Sequence, residues 1–389
     1  MKILIAMDSF KGSLTSLQAG EAIKEGIRNA IPDAEICIRP LADGGEGTVE
    51  ALVSGMDGTL EHLQATGPLG APVPCTYGII KDSKKDGKTT AGTAVMEMSS
   101  AAGLTLIDAK ERNPLHTTTY GVGEIIKDAI GKGCRRFLVG IGGSATNDGG
   151  AGMLQALGFG LLDKNGKQIP FGAKGLKELE SVTAASVIPE LKECSFRIAC
   201  DVTNPLCGPQ GCSAVFGPQK GATPAMISQM DGWLAHFSAL TMKLYPHADA
   251  AKAGTGAAGG LGFAFLSYTN AVLESGIRII LEETGLEDAV KTADIVITGE
   301  GRLDGQTIFG KAPIGVAQLA KKHNKKVLAF SGCVTEDAGI CNAHGIDAFF
   351  PILRSVQSLP DAMQPEHAGQ NLRAAAEQVF RLIRCIRGQ

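Results

Sequence analysis

The strongest constraint on this chain is the alternation of short apolar strands and amphipathic helices at its two ends. Lys2 to Met7 is an apolar run that breaks into the polar loop Asp8-Ser9-Phe10-Lys11-Gly12-Ser13. From about Ser16 the apolar positions Leu17, Ala22, Ile23 and Ile27 recur at helical spacing, with Thr15 or Ser16 available as the cap. A second strand, Ala34 to Arg39, leads through Pro40-Leu41-Ala42-Asp43-Gly44-Gly45-Glu46-Gly47 to a helix through Val49 to Val53. Such βαβα alternation predicts a parallel sheet.

The last third repeats the pattern. Strands are expected at Asp294 to Thr298, Lys326 to Phe330 and near Ala348 to Leu353. Helices are expected at Pro313 to His323, near Glu336 to Ala343, and from Arg373 to Ile386. Between the ends the texture changes. From about Gly58 to Thr93, short alternating segments broken by Gly67-Pro68 read as β-ribbon of a different domain. A helix (Tyr120 to Ile130), a strand (Arg136 to Ile141), a strand (Phe196 to Cys200), a long helix (Met226 to Leu244) and a Gly-rich turn (Gly254 to Gly262) follow. The expectation is an α/β protein of two domains. One is a doubly wound domain made from both chain ends (1–58 and 285–389); the other is an inserted α/β domain (59–284). A length of 389 residues suits two cores rather than one.

Charge narrows the partners. The formal net charge is -3, so neither nucleic acid nor an anionic membrane is an expected partner. No run reaches the ~18 apolar residues a spanning helix needs. The N-terminus lacks a signal-peptide pattern, so a cytoplasmic location with reduced thiols is expected. Most of the ten cysteines, such as Cys37, Cys134, Cys200 and Cys333, then read as small buried hydrophobes.

In open α/β sheets ligands sit beyond the carboxyl ends of the strands. Reading only those ends gives Asp8 and Lys11, Asp43 and Glu46, Ser144 with Asn147 and Asp148, Asp201 and Asn204, and Glu300 with Arg302 and Asp304. Carboxylates, glycines and a few cations suit phosphoryl transfer. Glycine-rich backbone cradles phosphate oxygens, cations neutralise developing charge, and carboxylates hold Mg²⁺ or accept a hydroxyl proton.

Two familiar motifs fail on context. Gly254-Thr255-Gly256-Ala257-Ala258-Gly259 has the dinucleotide spacing but follows a polar stretch instead of a strand. Gly305 to Lys311 matches a phosphate loop but continues into Ala312 where Ser or Thr is required, and its strand is expected to end several residues too early. Lys311, ahead of a helix, could still meet a phosphate.

Four strings together carry a family resemblance: Met7-Asp8-Ser9-Phe10-Lys11-Gly12, Ala42-Asp43-Gly44-Gly45-Glu46-Gly47-Thr48, Gly142-Gly143-Ser144-Ala145-Thr146-Asn147-Asp148-Gly149-Gly150, and Thr298-Gly299-Glu300-Gly301-Arg302-Leu303-Asp304. In this order the chain resembles the bacterial glycerate kinase type 1 family over essentially its whole length. The resemblance implies transfer of the ATP γ-phosphate to D-glycerate with Mg²⁺, giving 2-phosphoglycerate. It also implies two α/β domains, one Rossmann-like, with the active site in the cleft between them.

On that footing Asp43 or Asp201 is the candidate base, with Lys11 as a further catalytic residue. Lys11 and Arg302 are candidates to hold the glycerate carboxylate or the transferring phosphoryl group. Asp8, Ser9 and Asn204 are further substrate-binding candidates. Gly142, Gly143, Ser144, Asn147 and Asp148 are candidates for the ATP phosphates, and Glu300 and Asp304 for Mg²⁺. Alternatives are a kinase giving 3-phosphoglycerate or acting on another small hydroxy acid, a nicotinamide-dependent dehydrogenase, and a non-catalytic small-anion binding protein. The oligomeric state is left open.

Overall fold

The structure, a computed structural model, describes residues 1–389 except Asp43, Gly44, Glu46, Asp57, 82–91 and Gln389. In chain order the strands are β1 (Lys2–Ile5), β2 (Glu35–Ile38), β3 (Thr59–Thr66), β4 (Pro72–Ile80), β5 (Thr93–Glu97), β6 (Arg136–Gly140), β7 (Gly160–Leu162), β8 (Ser181–Thr183), β9 (Ser195–Ala199), β10 (Asn270–Glu274), β11 (Ile295–Leu303), β12 (Lys326–Val334) and β13 (Ala348–Pro351). The contacts divide the chain into two units: Met1–Asp43, Glu50–Met56 and Ile277–Gln389 form one; Gly44–Val49 and Asp57–Gly276 form the other.

The first unit is built on a five-stranded, wholly parallel sheet in the order β13-β12-β11-β1-β2. From β1 the chain steps outward to β2 on one side. On the other side it resumes at β11 and continues through β12 to β13, so the direction of winding reverses between β1 and β11. Period-two alternation sends Ile3, Ile5, Met7 and Ile297 to one face. There they meet Ile23 and Ile27 of the Ser16–Ala30 helix and Leu372 and Phe380 of the Pro365–Arg387 helix. The Leu286–Thr292 and Ala312–Lys322 helices pack on β1, β11 and β12. Thr15 caps the first helix, accepting the Gln18 amide while Gln18 returns the bond to the Thr15 amide. Ser16 is buried instead: its hydroxyl donates to the Met7 carbonyl at 2.6 Å and accepts the Leu41 amide at 2.8 Å. The segment after β2 is thereby tied to the end of β1.

The second unit carries a six-stranded sheet, β10-β9-β6-β5-β4-β3. Its first four strands are parallel, and β4 and β3 extend it as an antiparallel ribbon, as the alternating segments around Gly67-Pro68 predict. Phe137 of β6 and Phe196 of β9 stack at 4.7 Å, and Phe265 of the Ala257–Tyr268 helix packs on Phe196. A separate two-stranded antiparallel sheet joins β7 and β8. Among the described residues no helix is long and apolar enough to cross a membrane.

Several elements differ from expectation. β11 runs to Leu303 rather than Thr298, because β12 is equally long and pairs with it through Arg302 and Leu303. Glycine makes this possible: at Gly299 a Cβ would lie 1.8 Å from the Phe330 carbonyl oxygen, with φ at +155°. The Gly276–Glu283 helix falls largely within the first unit, where Ile277 packs against Gly315. The closing helix begins at Pro365, not Arg373. Among the described residues no disulfide forms; Cys134 is buried, Cys37 and Cys200 are half-buried, and Cys333 is exposed, since β13 stops opposite Ser331 and leaves the end of β12 uncovered.

Gly299→Ala should therefore destabilise the protein by about 3 kcal/mol or more through a backbone clash. Gly232→Ala, exposed within the Pro224–Leu244 helix with nothing near its Cβ position, should stabilise it by about 0.5–1 kcal/mol. Thermal melting of the two variants against the parent checks both signs.

Candidate active site

In the first unit the reversal of winding opens the crevice between the carboxyl ends of β1 and β11, where doubly wound folds bind ligands. Asp8 follows β1 directly. Its amide donates to the Gly299 carbonyl at 2.9 Å, and its buried carboxylate accepts the Ser9 amide at 2.7 Å. The chain then folds into a tight loop, with Phe10 and Leu14 exchanging both backbone bonds and exposed Lys11 within it. Gly301 lies under this loop, its Cβ position 3.5 Å from the Phe10 Cα and 3.8 Å from the Lys11 nitrogen.

Because β11 continues through this region, Glu300 and Arg302 are strand residues, and Asp304 immediately follows. Buried Glu300 accepts the Thr307 hydroxyl at 2.8 Å on Oε1, and Lys311 Nζ stands 3.4 Å from its Oε2. Asp304 receives Arg302 Nε at 3.2 Å and Lys311 Nζ at 3.7 Å. Two carboxylates and two cations thus share one cluster at the sheet's end. Burial raises the Glu300 carboxyl above its ordinary range, while Lys311 and Thr307 pull it back down. Sequence reading left out Thr307, which no motif marks. Lys311 stands just ahead of the Ala312–Lys322 helix, where the sequence places it within reach of a phosphate. The strand before the Gly305 to Lys311 loop is long enough after all, but the missing hydroxyl at Ala312 still sets it apart from the phosphate-loop motif.

In the second unit the carboxyl ends of β5, β6, β9 and β10 carry a second group. The Gly142–Gly150 loop follows β6. Its Gly142 and Gly143 are exposed, and Ser144 is bridged to Gly103. The side chains of Asn147 and Asp148 are fully buried and bond inward. Asn147 Nδ2 donates to Ser213 Oγ at 2.8 Å. Asp148 accepts the Thr119 amide and hydroxyl, both at 2.9 Å, and the Gly150 and Gly152 amides at 3.1 and 3.2 Å. It thereby joins the starts of the Tyr120–Gly131 and Ala151–Ala156 helices. Burial raises its carboxyl, and the four donors oppose that shift. Beneath the same loop lies Lys220, 1% exposed, donating to the Thr146 carbonyl at 2.6 Å. Burial lowers its ammonium to about 8. Lys220 stands outside every motif and was not anticipated.

After β9, exposed Asp201 accepts the Gly276 amide at 3.2 Å. Asn204 donates to the Gln210 carbonyl at 2.8 Å, and its own carbonyl accepts the Gly256 amide at 2.9 Å. Glu97, at the end of β5, accepts the Val49 amide at 3.1 Å. The strand-end rule would have found Glu97 had β5 been recognised behind the polar stretch before it. The Gly254–Gly259 motif follows no strand, and Ala258, Gly259 and Gly260 in succession have positive φ, so the dinucleotide geometry is absent. Asp43 lies outside the described residues. The candidates therefore gather in two groups: Asp8, Ser9, Lys11, Glu300, Arg302 and Asp304 in the first unit; Gly142, Gly143, Ser144, Asp201 and Asn204 in the second.

Parallel α/β sheets ending in carboxylates, cations and a glycine-rich loop define a protein of the phosphate-handling class. Comparison with known proteins narrows this. The Glycerate kinase family profile matches residues 3–384. A Haemophilus influenzae glycerate kinase is 47% identical over 383 residues, covering 98% of this chain and 99% of the relative. An Escherichia coli K12 glycerate 2-kinase is 47% identical over 365 residues, covering 94% and 93%. A Salmonella typhimurium LT2 crystal structure, described as a glycerate kinase 2, superposes with a TM-score of 0.89 at 44% identity over 100% of both chains. The chain belongs to the glycerate kinase family.

Asp148→Asn should lower stability by about 3 kcal/mol, because an amide turns at least one donor toward donors in a sealed site; a melting curve reads this directly. Lys220 gives a pH signature. Its ammonium is lowered on folding, so between about pH 8 and the ordinary lysine range the unfolded chain holds the extra proton. Rising pH then relieves the cost of burying this charge, and below pH 8 that cost is present in full. The stability of the parent relative to Lys220→Met should climb across this window in denaturation curves taken at several pH values.

Proposed function

We propose that this protein transfers the γ-phosphoryl group of ATP to D-glycerate, giving 2-phosphoglycerate and ADP. The observation that carries the reading is family membership over nearly the whole chain, with a relative named glycerate 2-kinase at 47% identity. The reaction would run in the cytoplasm, where ATP is supplied.

The chemistry asks for four things. A carboxylate, Asp43 or Asp201, takes the proton of the substrate 2-hydroxyl. The oxygen so freed forms the new bond to the γ-phosphorus while the bridging oxygen leaves with ADP. Lys11 and Arg302 hold the glycerate carboxylate or the transferring group, with Asp8, Ser9 and Asn204 orienting the substrate. The backbone of Gly142 and Gly143, with Ser144, receives nucleotide phosphates, while Asn147 and Asp148 hold the loop from inside.

Mg²⁺ suits Glu300 and Asp304 by donor type. No group of three or more His, Cys, Asp or Glu ligands stands together among the described residues. Two carboxylates with phosphate oxygens and water is the arrangement Mg²⁺ ordinarily takes. When bound it would neutralise phosphate charge. Lys311 and Arg302, already on these carboxylates, would be free to turn toward phosphate oxygens as the metal takes their place.

Incubation with ATP, Mg²⁺ and D-glycerate, followed by phosphorus NMR, should give a 2-phosphoglycerate signal. A 3-phosphoglycerate signal would correct the position, and no phospho-product from folded protein would reject the kinase. Lys11→Ala should cost about 100-fold in kcat/KM. Of Asp43→Asn and Asp201→Asn, the one that removes the base should cost at least about 100-fold in kcat, and the other far less.

A further inference from the structure

Lys220 is the one Lys or Arg among the described residues that is buried to this degree. Sealing an ammonium inside a protein costs several kcal/mol, and an apolar side chain of the same shape would fill the space without that cost. What the charge reaches is the Thr146 carbonyl, at 2.6 Å, in the middle of the Gly142–Gly150 loop. Asp148 and Cys212 are the titratable groups that act on it from around the pocket.

The neighbourhood is crowded on the backbone side. A Cβ on Gly259 would lie 2.0 Å from the same Thr146 oxygen, and the Gly259 carbonyl accepts the Gly149 amide at 2.9 Å. Thr146 Oγ1 and Asn147 Oδ1 are also buried there, with no hydrogen-bond partner among the described residues. A loop pressed against the left-handed turn at Ala258, Gly259 and Gly260 with two unsatisfied oxygens is held in part against its own polarity, and a charge-assisted bond offsets that.

We propose that Lys220 is a positioning residue for nucleotide binding. It holds the Thr146 carbonyl inward, withdrawn from the ligand side, so that exposed Gly142 and Gly143 keep the shape that receives phosphate. This rests on the kinase reading for the identity of the ligand, but the positioning of the loop does not. The positive charge also stands beneath a loop meant for an anion, offset there by Asp148.

The test uses the full-length protein with Lys220→Met and Lys220→Gln. Each is checked for folding by circular dichroism, then measured for amide hydrogen exchange over 142–150 and for steady-state kinetics. Lys220→Met should exchange at least about tenfold faster in that loop. It should also raise the ATP KM about tenfold or more while the glycerate KM stays within about twofold. Lys220→Gln keeps a donor on a shorter arm and should fall between Lys220→Met and the parent in both readouts. Should Lys220→Met fail to fold, Lys220→Gln alone decides. A folded variant with parental exchange and parental ATP KM overturns the proposal. If the parent transfers no phosphoryl group, the kinase reading fails, and faster exchange in the variants still supports the positioning of the loop.

Discussion

The parallel pairing of β1 with β11 is the contact on which the first unit depends. Ile3 meets Ile295 and Ile5 meets Ile297, so the beginning of the chain is zipped to a strand that arrives only after the whole second unit has been traversed. Such a long-range pair carries a loop-closure cost that the local β1–β2, β11–β12 and β12–β13 pairs do not. Once made, it fixes the reversal of winding and brings Asp8 beside the Gly299–Asp304 segment. Ser16, bonded to both Met7 and Leu41, carries the same constraint to the segment leading toward Asp43.

Charge is treated differently in the two units. At the end of β11, Glu300 and Asp304 are matched by Lys311 and Arg302, and Arg302 is largely exposed. The Arg302–Asp304 pair, exposed on its arginine side, is the more weakly held and can exchange partners with an arriving anion at modest cost. In the second unit Asp148 and Lys220 are sealed, with Asp148 bound to backbone amides and a hydroxyl and Lys220 to a carbonyl. Groups held in that way cannot rearrange cheaply, which suits support rather than ligand exchange.

Much of this was legible in the sequence, for physical reasons that can be named. The apolar runs of β1, β2, β12 and β13 are short and bounded by turn residues, and the first helix offers Thr15 or Ser16 as its cap, of which the structure uses Thr15. The strand-end rule found Asp8, Asp201 and Asn204, and placed the Gly142–Gly150 loop correctly after β6. It failed where a strand does not end at its first glycine. Gly299 and Gly301 read as a turn, yet β11 passes through them because an equally long β12 runs alongside. Asn147 and Asp148 follow β6 as the rule reads them, and what it does not show is that their side chains bond inward. Glu97 was missed because β5 is not recognisable behind the polar stretch before it, and Lys220 because it sits in no recognisable string. A buried lysine in particular has no local signature, since its partners come from a loop distant in sequence.

The glycines therefore do two kinds of work, which composition cannot separate. Gly142 and Gly143 are exposed, and what they offer is open backbone. Gly299 and Gly259 are interior, and what they offer is the missing Cβ that lets Phe330 and Thr146 come within backbone contact. The second kind makes the first effective. An open backbone loop recognises an anion only if its shape is set before the anion arrives, because ordering it on binding would consume the free energy of the new bonds. Close backbone packing behind the loop, reinforced by Asp148 and Lys220, supplies that order in advance.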